Sequence, residues 1–164
     1  KGVQGRTVFF ESYRNIQKNN IKFEEPMIIQ KRIYDCKHDS NKSRHFRINT
    51  FYNKNTNEAQ LINVFMQNGK DGELTTNLTQ GGKRIDCGDL LDCSNLSTEE
   101  IDKLNKIKDE LLILQKELKN PIVGWDIILG CDDGYVLEGN ICPDTTDMNN
   151  ESIEKINKLL NEIY

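Results

Sequence analysis

The sequence predicts an α+β fold, a mostly antiparallel sheet covered by helices, and three observations point to it. Segments in which apolar and polar residues alternate come in neighbouring pairs joined by turn-rich loops, as antiparallel hairpins with one buried face do. Two other segments, 97–121 and 149–163, carry apolar residues at helical spacing and stand apart from the strand pairs. The 164 residues, 36% hydrophobic and 29% charged, have the length and balance of one ordinary globular domain with its own core. No internal repeat and no Ser/Gly-rich or Pro-rich linker interrupts the chain, so residues 1–164 read as a single domain.

Each element follows from local pattern. The opening stretch 1–10 is a Gly-bearing turn leading into an apolar strand, and 11–22 is polar with room for a short helix capped by Ser12. Pro26 precedes Met27-Ile28-Ile29-Gln30-Lys31-Arg32-Ile33, a strand buried at its start, and 35–43 is a polar loop. Residues 44–52 form a strand with Phe46, Ile48 and Thr50 against Arg47 and Asn49. Residues 59–67 form its partner, and the turn-rich 53–57 makes the pair a hairpin. Asn68-Gly69 and Asp71-Gly72 mark a further turn, 75–82 is a loop with a Gly pair, and a polar stretch runs on to Asn95. Ser97-Thr98-Glu99-Glu100 is a capping box that starts a helix with Ile101, Leu104, Ile107, Leu111, Leu114 and Leu118 on one stripe, stopped by Asn120-Pro121. A second helix, 151–163, takes Asn149 or Asn150 as cap and presents Ile153, Ile156, Leu159, Leu160 and Ile163. Both stripes are expected to cover the apolar face of the sheet.

Between the helices lie two short strands, Gly124-Trp125-Asp126-Ile127-Ile128 and Tyr135-Val136-Leu137-Glu138-Gly139-Asn140. The Asp132-Asp133-Gly134 tip suits a three-residue hairpin loop with the Gly in the left-handed position, which sets Cys131 opposite Tyr135. Counting outward, Asp126 faces Asn140 and Ile128 faces Glu138, and Asp126, Glu138 and Asn140 share one face. The other face, with Trp125, Ile127, Leu129, Leu137 and Ile141, is expected to be core. Two carboxylates and an amide oxygen are hard ligands that suit Mg²⁺ or Mn²⁺ and leave positions open for phosphate oxygens and water. The alternative is the wet side of an ordinary amphipathic hairpin, and spacing alone leaves both readings open.

The same residues carry a family resemblance. Gly-Trp-Asp-Ile-Ile, the twelve-residue step from Asp126 to Glu138, and Leu-Glu-Gly-Asn-Ile-Cys-Pro through Pro143 resemble the end of the ATP-grasp ligases. That family's pattern is an Asp, then Glu-x-Asn, then a Pro. The match is nearest to the sugar-transfer-associated ATP-grasp group, where Glu-Gly-Asn is usual, and then to the ribosomal-protein glutamate-ligase type. The resemblance implies that Asp126, Glu138 and Asn140 hold the Mg²⁺ ions that bridge the phosphates of ATP. Further matches imply further roles. Arg47 stands at the Arg of an Asp-x-Arg strand and is a candidate for the moving γ-phosphoryl, with His45 in place of the Asp. Asn77 sits four residues before Gly81-Gly82, as in the family's phosphate-end loop, and Thr75 replaces the Arg of the glutamate-ligase type. Gln30, Lys31 and Ile33 match the hinge whose backbone meets adenine, and Asp35 stands where an acid commonly takes the ribose hydroxyls. Lys1-Gly2-Val3 resembles the tail of the Gly-rich loop over the phosphates. The resemblance thus covers nearly the whole chain as the C-terminal part of an ATP-grasp domain, its N-terminal lobes lying outside this sequence.

Composition narrows the rest. A net charge of −4, with acids and bases interspersed, offers no basic field for nucleic acid or for an anionic membrane. No apolar run has the length of a membrane span or a secretory signal, so a cytoplasmic location is the expectation. The five cysteines, Cys36, Cys87, Cys93, Cys131 and Cys142, contain no C-x-x-C pair and read as reduced thiols. His38 and His45 are the only histidines, and neither belongs to a recognisable Cys-His nucleophile motif. The resemblance implies an ATP- and Mg²⁺-dependent carboxylate ligase, forming an acyl phosphate and then an amide-type bond. Its partners are ATP, a small-molecule or peptide carboxylate and an amine-type acceptor, and this chain is expected to be inactive alone. A non-catalytic ATP-binding module of the same fold, and a plain interaction domain meeting a partner through its helices, are the rival readings.

Overall fold

Alternation in the first hairpin sends Phe46 and Ile48 to one side of the strand and His45, Arg47 and Asn49 to the other. β1 (Arg44–Asn53) and β2 (Glu58–Asn68) pair antiparallel as the pattern requires. The turn between them closes on the Asn53 side chain, which accepts from the Asn55 and Thr56 amides. Asn57 takes the left-handed position at φ 58°, which asparagine tolerates better than most residues. The structure is a computed structural model, and its described residues are Ile33, Asp35, Thr76, 44–70, 81–88, 96–141, 143–145 and 148–163. The chain divides into two compact units, Lys1–Ile33 and Tyr34–Tyr164, and all the elements described belong to the second. The strand and short helix expected within 1–33 lie outside the described residues, Ile33 apart.

β3 (Lys83–Asp86), β4 (Ile122–Leu129) and β5 (Gly134–Ile141) complete a five-stranded sheet in the order β3-β2-β1-β4-β5, antiparallel throughout. The α+β class is thereby borne out. β3 falls where the sequence suggests only a polar stretch. It is an edge strand, and edge strands carry charge, here Lys83, Arg84 and Asp86, so apolar alternation does not reveal them.

The two helices lie on opposite faces of the sheet, which corrects the expectation that both cover one face. Val64 and Met66 join Phe46, Ile48, Trp125 and Ile127 in the core under α1 (Thr98–Leu118), whose Leu104, Ile107 and Leu111 point inward. Phe65, between Val64 and Met66 in the strand, points the other way and packs with Phe51, Ile62, Met148, Ile156 and Leu159 under α2 (Asn150–Asn161). An extra residue in β2, where the register shifts at Asn49/Thr50, adds Ile62 to that second core. Each fully buried side chain of this size contributes about 1.5–3 kcal/mol. The predicted capping box is present in full, the Ser97 side chain accepting from the Glu100 amide while Glu100 accepts from the Ser97 N–H. Leu114 lies on the flank of the α1 stripe and Leu118 in its last turn, and both remain half exposed, as does Ile153 on α2. Asn149 caps α2, and Asp86 accepts from the Asn149 N–H and the Ser152 hydroxyl, fixing that helix to the end of β3.

The β4–β5 hairpin departs from the expected register. The strands close at Leu129 and Gly134 around the loop 130–133, fastened by the Gly130 N–H donating to the Asp133 carbonyl, so Cys131 is a loop residue and does not face Tyr135. Gly134 has no positive φ. A Cβ there would lie 2.0 Å from Ile107 Cδ1 of α1, so that side-chain end would have to move. Leu137 is then an extra residue, since Ile127 pairs with Val136 and Asp126 with Glu138. Gly124, not Asp126, therefore faces Asn140. The face shared by Asp126, Glu138 and Asn140 survives, because the observed partner of Asp126 differs from the expected one by two residues, an even shift that keeps the face. Leu137 and Ile141 are 47% and 63% exposed rather than core, β5 being an edge strand that α1 covers little beyond Gly134.

Cys87 and Cys131 are disulfide-bonded, which corrects the reading of all five cysteines as reduced thiols. The C-x-x-C criterion sees only pairs separated by two residues, so it does not report a disulfide of any other spacing. No helix among the described residues is long and apolar enough to cross a membrane.

Gly124 is set by close approach: a Cβ would meet the Pro143 ring at 2.6 Å and Asn49 Oδ1 at 2.8 Å. Neither neighbour is the loose end of a flexible chain. Gly124→Ala is expected to lower stability by about 1–3 kcal/mol in urea unfolding, and an unchanged midpoint would show that Pro143 does not press on this strand.

Candidate metal centre

The α2-side face of the sheet is apolar only beneath α2. Across the rest of it, alternation places polar residues in cross-strand rows. One row runs Arg47, Asp126, Glu138 and the next Asn63, Asn49, Gly124, Asn140. At the centre Arg47 donates to Asp126 through two parallel bonds, Nε to Oδ1 and Nη2 to Oδ2, each 2.7 Å. Side-chain exposure of 14% and 11% leaves this pair little water. Burial works against the Arg47 charge, but the hydrogen bonds and charge of Asp126, with Glu138 and Asp144 beyond, outweigh it and raise the guanidinium pKa.

Asn140 joins the two carboxylates. Its Nδ2 donates to Glu138 Oε1 at 3.0 Å and to Asp126 Oδ2 at 3.4 Å, so the positive end of one amide occupies the point between two acids. Arg47 offsets only one of those two charges. Alongside, Asn49 Oδ1 is buried with no hydrogen-bond partner among the described residues and lies over Gly124, opposite Asn140. No cluster of three or more His, Cys, Asp or Glu side chains suits a metal among the described residues. The donor set is instead two carboxylates and an amide that offers its oxygen when turned. This set fits a hard divalent cation that keeps water or phosphate oxygens as its remaining ligands.

His45 lies next along β1 on the same face, with Nε2 3.8 Å from Asp126 Oδ1. Burial pushes its pKa down to about 4, with Arg47 and Arg84 adding to the shift and Glu138 opposing it, so the imidazole is neutral near pH 7. Assigning the Gln67 amide by its hydrogen bonds lets its oxygen accept from Arg84 Nη2 and Nε, both at 3.2 Å, while its nitrogen donates to His45 Nε2 at 3.3 Å. His45 Nδ1 is in contact with the Thr76 hydroxyl.

The structure brings together Arg47, Asp126, Glu138 and Asn140 of the residues singled out from sequence. Asp35 belongs to a different cluster: Arg44 donates to it at 2.7 and 2.9 Å and also bonds Glu100 of α1, on the opposite side of the sheet from Asp126. Ile33 is half-buried. Gln30, Lys31 and Asn77 lie outside the described residues. Sequence reasoning missed Gln67, Thr76, Arg84 and Asp144. Gln67 was within its reach, since the β1–β2 register alone sets it opposite His45. Arg84 required knowledge of β3, and the nearness of Asp144 to Arg47 required the close approach of Pro143 to Gly124.

No protein-family model matches the sequence, and no curated protein matches it. Among solved structures it is similar to a D-alanine–D-alanine ligase from Bacillus anthracis. The identity is 14% and the TM-score 0.43, over 73% of this chain and 38% of that one. The chain therefore spans about two fifths of that ligase's length.

The neutral state of His45 has a consequence for stability. Its pKa is 6.5 when unfolded and about 4 when folded, so between these values the unfolded chain binds a proton that the folded one refuses. The metal-free protein is expected to keep this contribution in full above pH 6.5 and to lose up to about 3 kcal/mol of it as the pH falls to 4. In His45→Gln that part of the dependence should vanish from unfolding curves measured across the window. Parallel curves for the two proteins would show that His45 titrates normally.

Proposed function

We propose that this chain supplies the metal-nucleotide side of an ATP-dependent ligase that joins a carboxylate to an amine-type acceptor. The observation that carries the reading is the Asn140 amide bridging Asp126 and Glu138 on a face already anchored by Arg47. It agrees with the ATP-grasp pattern that the sequence shows at the same three residues. Asp126, Glu138 and Asn140 would hold Mg²⁺ or Mn²⁺, which when bound offsets the charge of phosphate oxygens. Arg47 orients Asp126, and Arg47 with Asn77 would present donors to the γ-phosphoryl group. A substrate carboxylate becomes an acyl phosphate as ADP leaves, and the amine then displaces phosphate. No protein nucleophile is needed. Gln30, Lys31 and Ile33 remain the proposed adenosine contacts, whereas the carboxylate of Asp35 is taken up by Arg44 on the other side of the sheet, and the chain is proposed as one part of the family's domain, working in the cytoplasm.

One observation favours the rival, a nucleotide-binding module without ligase activity. Arg47 spends two donors on Asp126, and Thr75 removes a cation the glutamate-ligase type has, so the face is short of positive charge for catalysis. Binding and turnover separate the two. In calorimetric titrations Asp126→Asn and Glu138→Gln should each weaken Mg-ATP binding by about tenfold or more while changing metal-free ATP binding little. Equal Mg-ATP affinity in all three proteins would remove the metal site. ADP released only with one acid and one amine from a panel decides for the ligase, and tight binding with no release decides for the module.

A further inference from the structure

We propose that Asn49 is a positioning residue for the cation site, its Oδ1 being the acceptor that takes the Asn140 Nδ2–H when the Asn140 amide turns its oxygen to a divalent cation. The inference rests on the metal-site reading above and deepens it by a residue from the neighbouring row of the sheet.

The orientation of Asn49 is fixed from a distance. Asp86 accepts from the Gly88 and Asn149 backbone amides and the Ser152 hydroxyl, and its Oδ2 also accepts from Asn63 Nδ2 at 3.0 Å. A carboxylate that takes backbone N–H groups presents lone pairs, so Asn63 turns its nitrogen to Asp86 and its oxygen to Asn49. Asn49 Nδ2 then donates to Asn63 Oδ1 at 2.8 Å, which leaves Asn49 Oδ1 over Gly124. There it lies 2.8 Å from the place a Gly124 Cβ would take, with the Pro143 ring 2.6 Å from the same place. Asn49 is wholly buried, and its Oδ1 has no hydrogen-bond partner among the described residues. A buried acceptor in that condition is costly, so it points to a partner that arrives in another state of the site.

The donor stands in the same cross-strand row. Gly124 lies between Asn49 and Asn140 in the register and has no side chain to separate them. Directly opposite residues have Cβ positions about 4.5–5.5 Å apart, so the Asn140 amide and Asn49 Oδ1 converge beside the Pro143 ring. In the metal-free protein Asn140 Nδ2 is committed to Glu138 Oε1 at 3.0 Å and Asp126 Oδ2 at 3.4 Å. Turning the amide oxygen to a cation between those carboxylates takes both acceptors from Nδ2, and Asn49 Oδ1 replaces them. A hydrated cation fits Asn49 Oδ1 itself less well, because that oxygen is wholly buried whereas the cation keeps water or phosphate oxygens. The unpaired acceptor thus favours the turned amide, and with it the loaded site.

Calorimetry and nuclear magnetic resonance of the full chain separate this role from a structural one. Asn49→Leu is expected to weaken Mg-ATP binding about tenfold and metal-free ATP binding less than about twofold. Asn49→Ala, which adds no bulk, should do the same. The discriminating background is Asn140→Asp, whose carboxylate offers an oxygen without turning and has no N–H to place. There Asn49→Leu should change Mg-ATP affinity by less than about twofold, whereas damage to the sheet would persist. In the parent, saturating Mg-ATP should move the nuclear Overhauser contacts of the Asn140 Nδ2 protons from the Glu138 side chain to the Gly124 Hα that stands where a Cβ would. An equal loss in both backgrounds, an equal loss for metal-free ATP, or amide protons that stay at Glu138 under saturating Mg-ATP would overturn the role of Asn49 and leave the metal site standing. A parent protein that binds ATP no more tightly with Mg²⁺ than without it would overturn both.

Discussion

The bidentate bond between Arg47 and Asp126 is the constraint on which the polar face depends. It joins β1 to β4, the two strands at the middle of the site, and it is poor in water. A buried pair of this kind adds little net stability, because desolvation consumes most of the attraction, but removing one member leaves a charge that the fold cannot accommodate. It therefore specifies the arrangement more than it strengthens it. The β1–β4 register that forms the pair also sets Asn49 opposite Gly124 and Phe46 opposite Ile127, and a slip of one residue would turn Asp126 into the core under α1.

Around that pair the sheet is divided between two tasks. Its α1 side is continuous core, with Trp125 fixed by a 2.8 Å hydrogen bond to the Thr50 hydroxyl. Its other side is core only where Phe51, Ile62 and Phe65 meet α2, and there a chain of polar contacts takes over, from Asn49 through Asn63 to Asp86 and the start of α2. The segment after β5 closes the arrangement, since Pro143 rests on Gly124 and Asp144 acts on Arg47. The residues that would meet a cation thus sit on a rigid sheet, held by neighbours whose own hydrogen bonds are largely satisfied. The inward stripes of both helices are occupied by this sheet, which weighs against a domain that meets a partner through those stripes.

Much of this was legible in the sequence, for physical reasons. Period-two alternation in β1 and β2 and the capping box at Ser97 are local patterns whose meaning does not depend on distant contacts. The common face of Asp126, Glu138 and Asn140 was legible too, because the three-residue error at the turn and the one-residue bulge together leave a shift of two, which keeps the face. The exact pairing was not. It hinged on Gly134 opening β5 and not taking the left-handed place of a turn, and on the extra residue at Leu137. That Arg47 finds its carboxylate in Asp126, seventy-nine residues away, was equally hidden, since the strand pattern points to a local partner at position 45. The disulfides at Cys87 and Cys131 and the exposure of Ile141 likewise depend on what packs where.

The central claim is that the point now bridged by the Asn140 amide is a cation position. Paramagnetic Mn²⁺ tests it directly, by nuclear magnetic resonance of the protein with ATP present and Mn²⁺ added in substoichiometric amounts. The account predicts that the Asn140 side-chain amide and the backbone amides of Asp126 and Glu138 broaden first, while those of α1 stay sharp. Broadening centred on another cluster, such as Asp132 and Asp133 at the hairpin tip, would contradict it.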